Sequence, residues 1–94
     1  MEKVCTGMTA RSLAGHDRGK VYLVLSGDET YIYLADGRSR TLNRPKRKKW
    51  KHVQMDRHIV PWIRNLMDQG KKLQDSDVVR ALKEYGCKQE VRDV

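Results

Sequence analysis

Lys20-Val21-Tyr22-Leu23-Val24-Leu25-Ser26-Gly27-Asp28-Glu29-Thr30-Tyr31-Ile32-Tyr33-Leu34-Ala35 is two apolar runs separated by a Gly-Asp-Glu turn. The first run, Lys20 to Ser26, is continuous, β-branched and aromatic, and too short for a helix, so it reads as a buried strand. The second, Thr30 to Ala35, alternates, with Ile32 and Leu34 on one face and Tyr31 and Tyr33 on the other. Asp36-Gly37 follows and predicts a tight type I′ hairpin, which needs positive φ at both central positions. Arg38-Ser39-Arg40-Thr41-Leu42 is then expected to return as a further strand with its polar face out. Pro45 has no N–H to donate and is expected to end regular pairing.

Upstream, Thr6 to Ser12 is a short mixed run, and Leu13-Ala14-Gly15-His16-Asp17-Arg18-Gly19 is loop chemistry with two glycines four apart. Downstream, Lys51-His52-Val53-Gln54-Met55 reads as a fifth short strand that closes a small barrel. After residue 56 the period changes. Ile59, Trp62, Ile63, Leu66 and Met67 fall at i, i+3, i+4, i+7 and i+8, one face of a helix with Trp62 in the core. Pro61 suits its first turn, which places the start near His58–Val60, and Gly70 suits its end. Asp75 is expected to cap a second helix that buries Val78, Ala81, Leu82 and Tyr85 and stops at Gly86. The fold class expected is mainly β with C-terminal helices: a small, strongly bent β-barrel with its basic loop over residues 1–56, then two short helices over 57–94 packed on the barrel.

A chain of 94 residues is one small domain. It buries ~60–65% of its unfolded surface, leaving little room for a deep substrate cavity. No run approaches the ~18 apolar residues of a membrane span, and the opening Met1 to Cys5 has no apolar signal-peptide region. Cys5 and Cys87 form no C-x-x-C, and two free thiols in a reducing cytoplasm are the default expectation.

The net charge of +8 is focused. Residues 43–64 carry eight Lys/Arg against one acid, Asp56, whereas the flanks are near balance. Within that segment, Arg44-Pro45-Lys46-Arg47-Lys48-Lys49-Trp50-Lys51-His52 holds six Lys/Arg and no acid. Six like charges that close repel one another and are expected to gain nothing from folding. A polyanion relieves them, and the usual intracellular polyanion is nucleic acid. The bland alternative is a solvated basic loop.

At residues 7–52, Gly7-Met8-Thr9-Ala10-Arg11-Ser12-Leu13-Ala14-Gly15-His16-Asp17-Arg18-Gly19-Lys20 followed by an apolar strand resembles a KOW motif. That motif is the first hairpin and loop of an SH3-like barrel in many ribosomal proteins and in transcription or translation factors. Ala14-Gly15-x-Asp17-x-Gly19, Ala35-Asp36-Gly37-x-x-Arg40, Pro45-Lys46-Arg47-Lys48 and Lys51-His52 together are similar to the small bacterial KOW-domain RNA-binding proteins. These are related to large-subunit ribosomal proteins of the archaeal and eukaryotic type. Leu73-x-Asp75-Ser76-Asp77-Val78-Val79-Arg80-Ala81-Leu82 fits the same group. His16 stands where that group most often has a basic residue, and Met8-Thr9-Ala10 is less β-branched than the usual first strand. The resemblance implies an SH3-like barrel that binds structured RNA, with ribosomal RNA or the ribosome as the partner.

From the residues themselves, the glycines at 15 and 19 are expected to take positive φ and present N–H groups to a phosphate, flanked by Arg11, His16, Arg18 and Lys20. Arg38 and Arg40 would extend that surface from one strand face. Arg44, Lys46, Arg47, Lys48, Lys49 and Lys51 would neutralise successive phosphates, with His52 beside them. Trp50 either stacks on an unpaired base or anchors the loop. In an extended segment Lys49 and Lys51 would face opposite to the indole, which favours anchoring.

No catalytic constellation is present. His16, His52 and His58 lack ligand spacing with the cysteines, and no phosphate-loop or zinc-protease motif occurs. The expectation is a non-enzymatic, monomeric RNA-binding protein without cofactor, metal or membrane association. A protein-interaction module remains open, because Tyr22, Tyr31 and Tyr33 offer an aromatic groove. DNA is a weaker third option, since phosphate contacts do not distinguish the two nucleic acids.

Overall fold

The computed structural model describes residues 6–56 and 59–92, with side chains described as far as residue 85. Cys5, His58 and the side chain of Cys87 therefore lie outside the described residues. Five strands form one antiparallel sheet: β1 (Thr9–Ser12), β2 (Val21–Gly27), β3 (Tyr31–Ala35), β4 (Lys46–Lys49) and β5 (Val53–Asp56). A 3-10 turn, Trp50–His52, joins β4 to β5, and two helices follow, α1 (Pro61–Asp68) and α2 (Asp75–Arg92).

The spatial order is β4-β3-β2-β1-β5. Consecutive strands pair as a meander, and β5 returns to pair along β1, with Ala10 opposite Met55 and Ser12 opposite Val53. The ladder does not close among the described residues: β4 and β5 are its two edges. The sheet is nevertheless strongly curved. Lys48, on edge strand β4, reaches Ala14 O in the β1–β2 loop at 2.8 Å, and the Leu13 N–H donates to His52 O at 2.8 Å.

Strand alternation divides the core between the two faces of the sheet. Met8, Ala10, Tyr22, Val24, Ile32, Leu34 and Val53 form one buried cluster, edged by Trp50, Met55 and Ile59. On the other face, Leu23 and Ala35 pack with Ile63, Val78 and Ala81 of the helices. The faces expected for Ile32 and Leu34 against Tyr31 and Tyr33 are those found, with the two aliphatic side chains fully buried.

The hairpin expected at Asp36-Gly37 does not form, and residues 38–42 are not a strand. The Asp36 carboxylate instead accepts hydrogen bonds from the Arg38 and Arg40 N–H groups, both at 2.8 Å, and winds the chain into a loop around itself. Gly37 has φ +82, and a Cβ there would lie 2.5 Å from Asp75 O and 2.7 Å from Val79 Cγ2. Glycine is thus required for the loop to seat against α2. The partner of β3 is drawn from the basic run itself. Pro45 precedes β4 rather than ending pairing, and Lys46–Lys49 pair with Leu34–Tyr31. Residues 51–52 fall in the 3-10 turn, so the fifth strand begins at Val53.

Helix α1 starts at Pro61, as its fixed φ allows, and ends at Gly70, where the Lys71 N–H bonds to Leu66 O and the Gly70 N–H to Met67 O. Of its expected apolar face only Ile63 is buried, while Met67 is 42% exposed. Trp62, expected in the core, is half-buried at the junction with α2. Its Nε1 donates to Glu84 Oε1 at 2.7 Å, and Arg80 lies 4.4 Å from the ring centroid. Helix α2 runs through Gly86 to Arg92, because a glycine weakens a helix without forbidding it. Asp75 does not cap α2. Its carboxylate accepts the Leu42 N–H at 2.8 Å, and the capping bond comes from Asp77, which accepts the Gln74 N–H at 3.0 Å.

Candidate nucleic-acid interface

Strand β4 alternates in what its cations do. Lys46 and Lys48 are paired across the ladder with the buried Leu34 and Ile32, so their stems lie on the core side. Arg47 and Lys49 are exposed on the opposite side, beside Tyr33 and Tyr31.

The core-side pair converges on one acid. Asp17, in the β1–β2 loop, lies 3.0 Å from Lys48 Nζ and 3.1 Å from Lys46 Nζ. It also accepts from Ser12 Oγ at 2.9 Å and from the Tyr22 hydroxyl at 2.7 Å. Burial pushes the Asp17 pKa up, but the bonds from Tyr22, Lys48, Ser12 and Lys46 outweigh it and hold the carboxyl well below the usual range. The Tyr22 hydroxyl is pushed well above its ordinary value by burial and by the Asp17 charge. The expectation that the basic run gains nothing from folding is therefore wrong for Lys46 and Lys48. An acid distant in sequence repays their desolvation. The aromatic groove left open for Tyr22, Tyr31 and Tyr33 loses Tyr22, because that ring is buried and its hydroxyl is engaged.

Asp17 thereby fastens the β1–β2 loop onto β4. Gly15 and Gly19 take the positive φ expected of them, +86 and +88. Their loop is hydrogen-bonded internally, however. The Gly19 N–H donates to Ser12 O at 2.8 Å and the Arg18 N–H to Gly15 O at 3.2 Å, so neither is presented to a phosphate. Arg11 Nη1 donates to Gly19 O at 2.9 Å. His16 and Arg18 are exposed at the loop tip.

Lys20 links this loop to the next. Its ammonium is 2.5 Å from Asp36 Oδ2 and 5.2 Å from the Tyr22 ring centroid. Asp36 is raised by burial but held well below the usual carboxylate range by Lys20, by the Arg40 and Arg38 N–H groups and by Ser39. Arg38 and Arg40 are exposed on this loop rather than alternating along a strand. Arg44, Lys49 and Lys51 are also exposed, and His52 is half-buried.

Trp50 is not in an extended segment, so strand alternation does not set its direction; the 3-10 turn does. The indole packs at the margin of the first core cluster, and its Nε1 donates to Asp28 O at 2.7 Å. Asp28 also organises the β2–β3 turn, accepting the Tyr31 and Thr30 N–H groups at 2.7 and 2.9 Å and the Tyr33 hydroxyl at 3.2 Å. Those bonds, chiefly from the Tyr31 and Thr30 N–H groups, lower its pKa.

The structure thus brings residues 11–20 against residues 46–52 and connects residues 38–40 to them through Lys20. In sequence Asp17, Asp28 and Asp36 read only as loop or turn residues, with none of the ion pairs and hydrogen bonds by which they organise these loops. The signal available was three acids at glycine-bearing turns in an otherwise basic chain. Among the described residues, no group of three or more His, Cys, Asp or Glu is placed to hold a metal ion. No described helix is long and apolar enough to cross a membrane.

No protein-family model matches this chain, and no curated protein matches it.

Proposed function

We propose that this chain is a non-catalytic, cytoplasmic RNA-binding domain. It acts as a monomer and docks on ribosomal or other structured RNA through the β1–β2 loop and the run from Arg44 to His52. Its fold is read as an SH3-like barrel of the KOW type. The curved meander with β5 returned along β1 supports that reading, as does the Ala14-Gly15-x-Asp17-x-Gly19 loop.

The observation that carries the functional reading is the division of labour on β4. Two lysines are consumed by Asp17 in fixing the β1–β2 loop. The exposed cations Arg18, Arg44, Arg47, Lys49 and Lys51 are left on the two segments that this pairing holds together. Exposed like charges held close on a rigid frame favour a polyanion. Crosslinking in cells followed by sequencing of the bound nucleic acid tests the reading. Recovery of ribosomal or other folded RNA, with crosslinks at residues 16–18 or 44–51, supports it. Recovery of DNA, or of no nucleic acid, contradicts it.

A further inference from the structure

We propose that the outer face of β3 and β4, where Tyr31 and Tyr33 lie beside Arg47 and Lys49, is a stacking site for unpaired RNA bases. This inference rests on the RNA-binding reading and assigns that surface the task of recognising single-stranded segments.

The two tyrosines share a face because Ile32 and Leu34 take the core side. The helices cover this face only at the Ala35 end of β3, where the second cluster lies. At the other end Tyr31 and Tyr33 stay half-exposed. The ladder sets Lys49 opposite Tyr31 and Arg47 opposite Tyr33. The Arg47 guanidinium also crosses diagonally to within 4.3 Å of the Tyr31 ring centroid. Residues two apart on a strand are separated by roughly 6.6–6.8 Å. That is about twice the thickness of a base, so the two rings suit splayed nucleotides rather than a continuous stack. The Tyr33 ring is held by its hydroxyl bond to Asp28 Oδ2 and the Tyr31 backbone by its N–H bond to Asp28 Oδ1, while the Tyr31 ring itself is flanked on one side by Arg47, which leaves its other side for a base. Arg47 and Lys49 supply phosphate-complementary charge at the same face. Duplex RNA hides its base faces and cannot use such a platform. A sequence-tolerant single strand can.

Affinity for a 12-nucleotide oligouridine and for a duplex of equal length, measured by fluorescence anisotropy at low salt, tests the proposal. Tyr31→Leu and Tyr33→Leu keep apolar volume on the sheet but remove the π-face, and Tyr31→Phe keeps both. Each Leu variant is expected to bind the single strand about 5- to 100-fold more weakly, with duplex affinity within about twofold and Tyr31→Phe like the parent. Melting curves confirm that each variant is folded; if a Leu variant is not, Tyr31→Met and Tyr33→Met serve in its place with the same expectation. Unchanged single-strand affinity in folded variants, equal losses on both RNAs, or preferential capture of a polyglutamate peptide overturns the proposal while leaving RNA binding standing. A parent protein that binds neither RNA overturns both.

Discussion

Lys48 Nζ lies 3.0 Å from Asp17 Oδ1, across 31 residues of sequence, with the two side chains 10% and 11% exposed. The same carboxylate holds Lys46, Ser12 and Tyr22. Removing one partner of a buried ion pair leaves the other uncompensated, which costs more than replacing the pair. Asp17→Asn is accordingly expected to cost about 2–4 kcal/mol, because two lysines lose their carboxylate together. Lys48→Met, which leaves Lys46 on Asp17, is expected to cost less. Urea denaturation of both variants checks the order.

The same carboxylates make stability acid-sensitive. Asp17 and Asp36 have folded pKa values depressed below the ordinary value of about 3.9. A depressed folded pKa contributes stability that is complete above the unfolded value and is lost as pH falls toward the folded one. The melting temperature is expected to be flat with respect to these groups above about pH 5 and to fall steeply below about pH 4. In Asp17→Asn that acid limb is expected to be shallower. Melting curves from pH 2 to pH 7 on both proteins provide the comparison.

The alternation along β4 predicts that charge removal separates into two effects. Arg47→Gln with Lys49→Gln is expected to weaken RNA binding and leave the melting temperature unchanged, since both side chains are exposed. Lys46→Gln with Lys48→Gln is expected to lower the melting temperature, because it strips Asp17 of both cations. Binding and melting measured on the two double variants settle whether the run is one surface or two.

Gly37 and Gly19 share a positive φ but not a setting. A Cβ at Gly37 meets Asp75 O at 2.5 Å, whereas at Gly19 nothing lies within 4 Å. Gly19→Ala is expected to cost about 1–2 kcal/mol, the left-handed backbone term alone. Gly37→Ala adds displacement of the α2 N-terminus and is expected to cost about 2–4 kcal/mol. Thermal denaturation distinguishes them.

Local pattern made β2 and β3 legible. Continuous apolar character marks β2 as a buried strand, and the alternation Tyr31-Ile32-Tyr33-Leu34 fixes β3 and its faces before any tertiary contact is known. Pro61 and Gly70 bracket α1 for equally local reasons. What the pattern did not carry was long-range. Asp36-Gly37 has the composition of a hairpin, but the loop is set by Asp36 reaching its own downstream N–H groups and by Gly37 and Leu42 docking on Asp75 of α2. Lys46 and Lys48 look identical in sequence to Arg47 and Lys49. Only the pairing of β4 with β3 and the arrival of Asp17 separate them. The basic run itself is where composition pointed, whereas its contact with the β1–β2 loop is made by Asp17 and Ala14 in three dimensions.

Trp50 gives a narrower test of the same frame. Its Nε1 bond to Asp28 O and its place against the first core cluster make it an anchor between β4 and the β2–β3 turn. Trp50→Ala is expected to lower stability by roughly 2–4 kcal/mol for a half-buried indole. It should reduce affinity for looped and duplex RNA alike. Selective loss of looped RNA with unchanged melting would assign the indole to base stacking instead.

The central claim, that exposed cations on the β1–β2 loop, the Asp36 loop and the Arg44–Lys51 run engage phosphates, is tested most directly by the salt dependence of RNA affinity. Six to eight phosphate contacts predict a log–log slope on the order of −4 to −6. A slope of that size supports the account. A slope near −1, or no binding to any RNA at low salt, contradicts it.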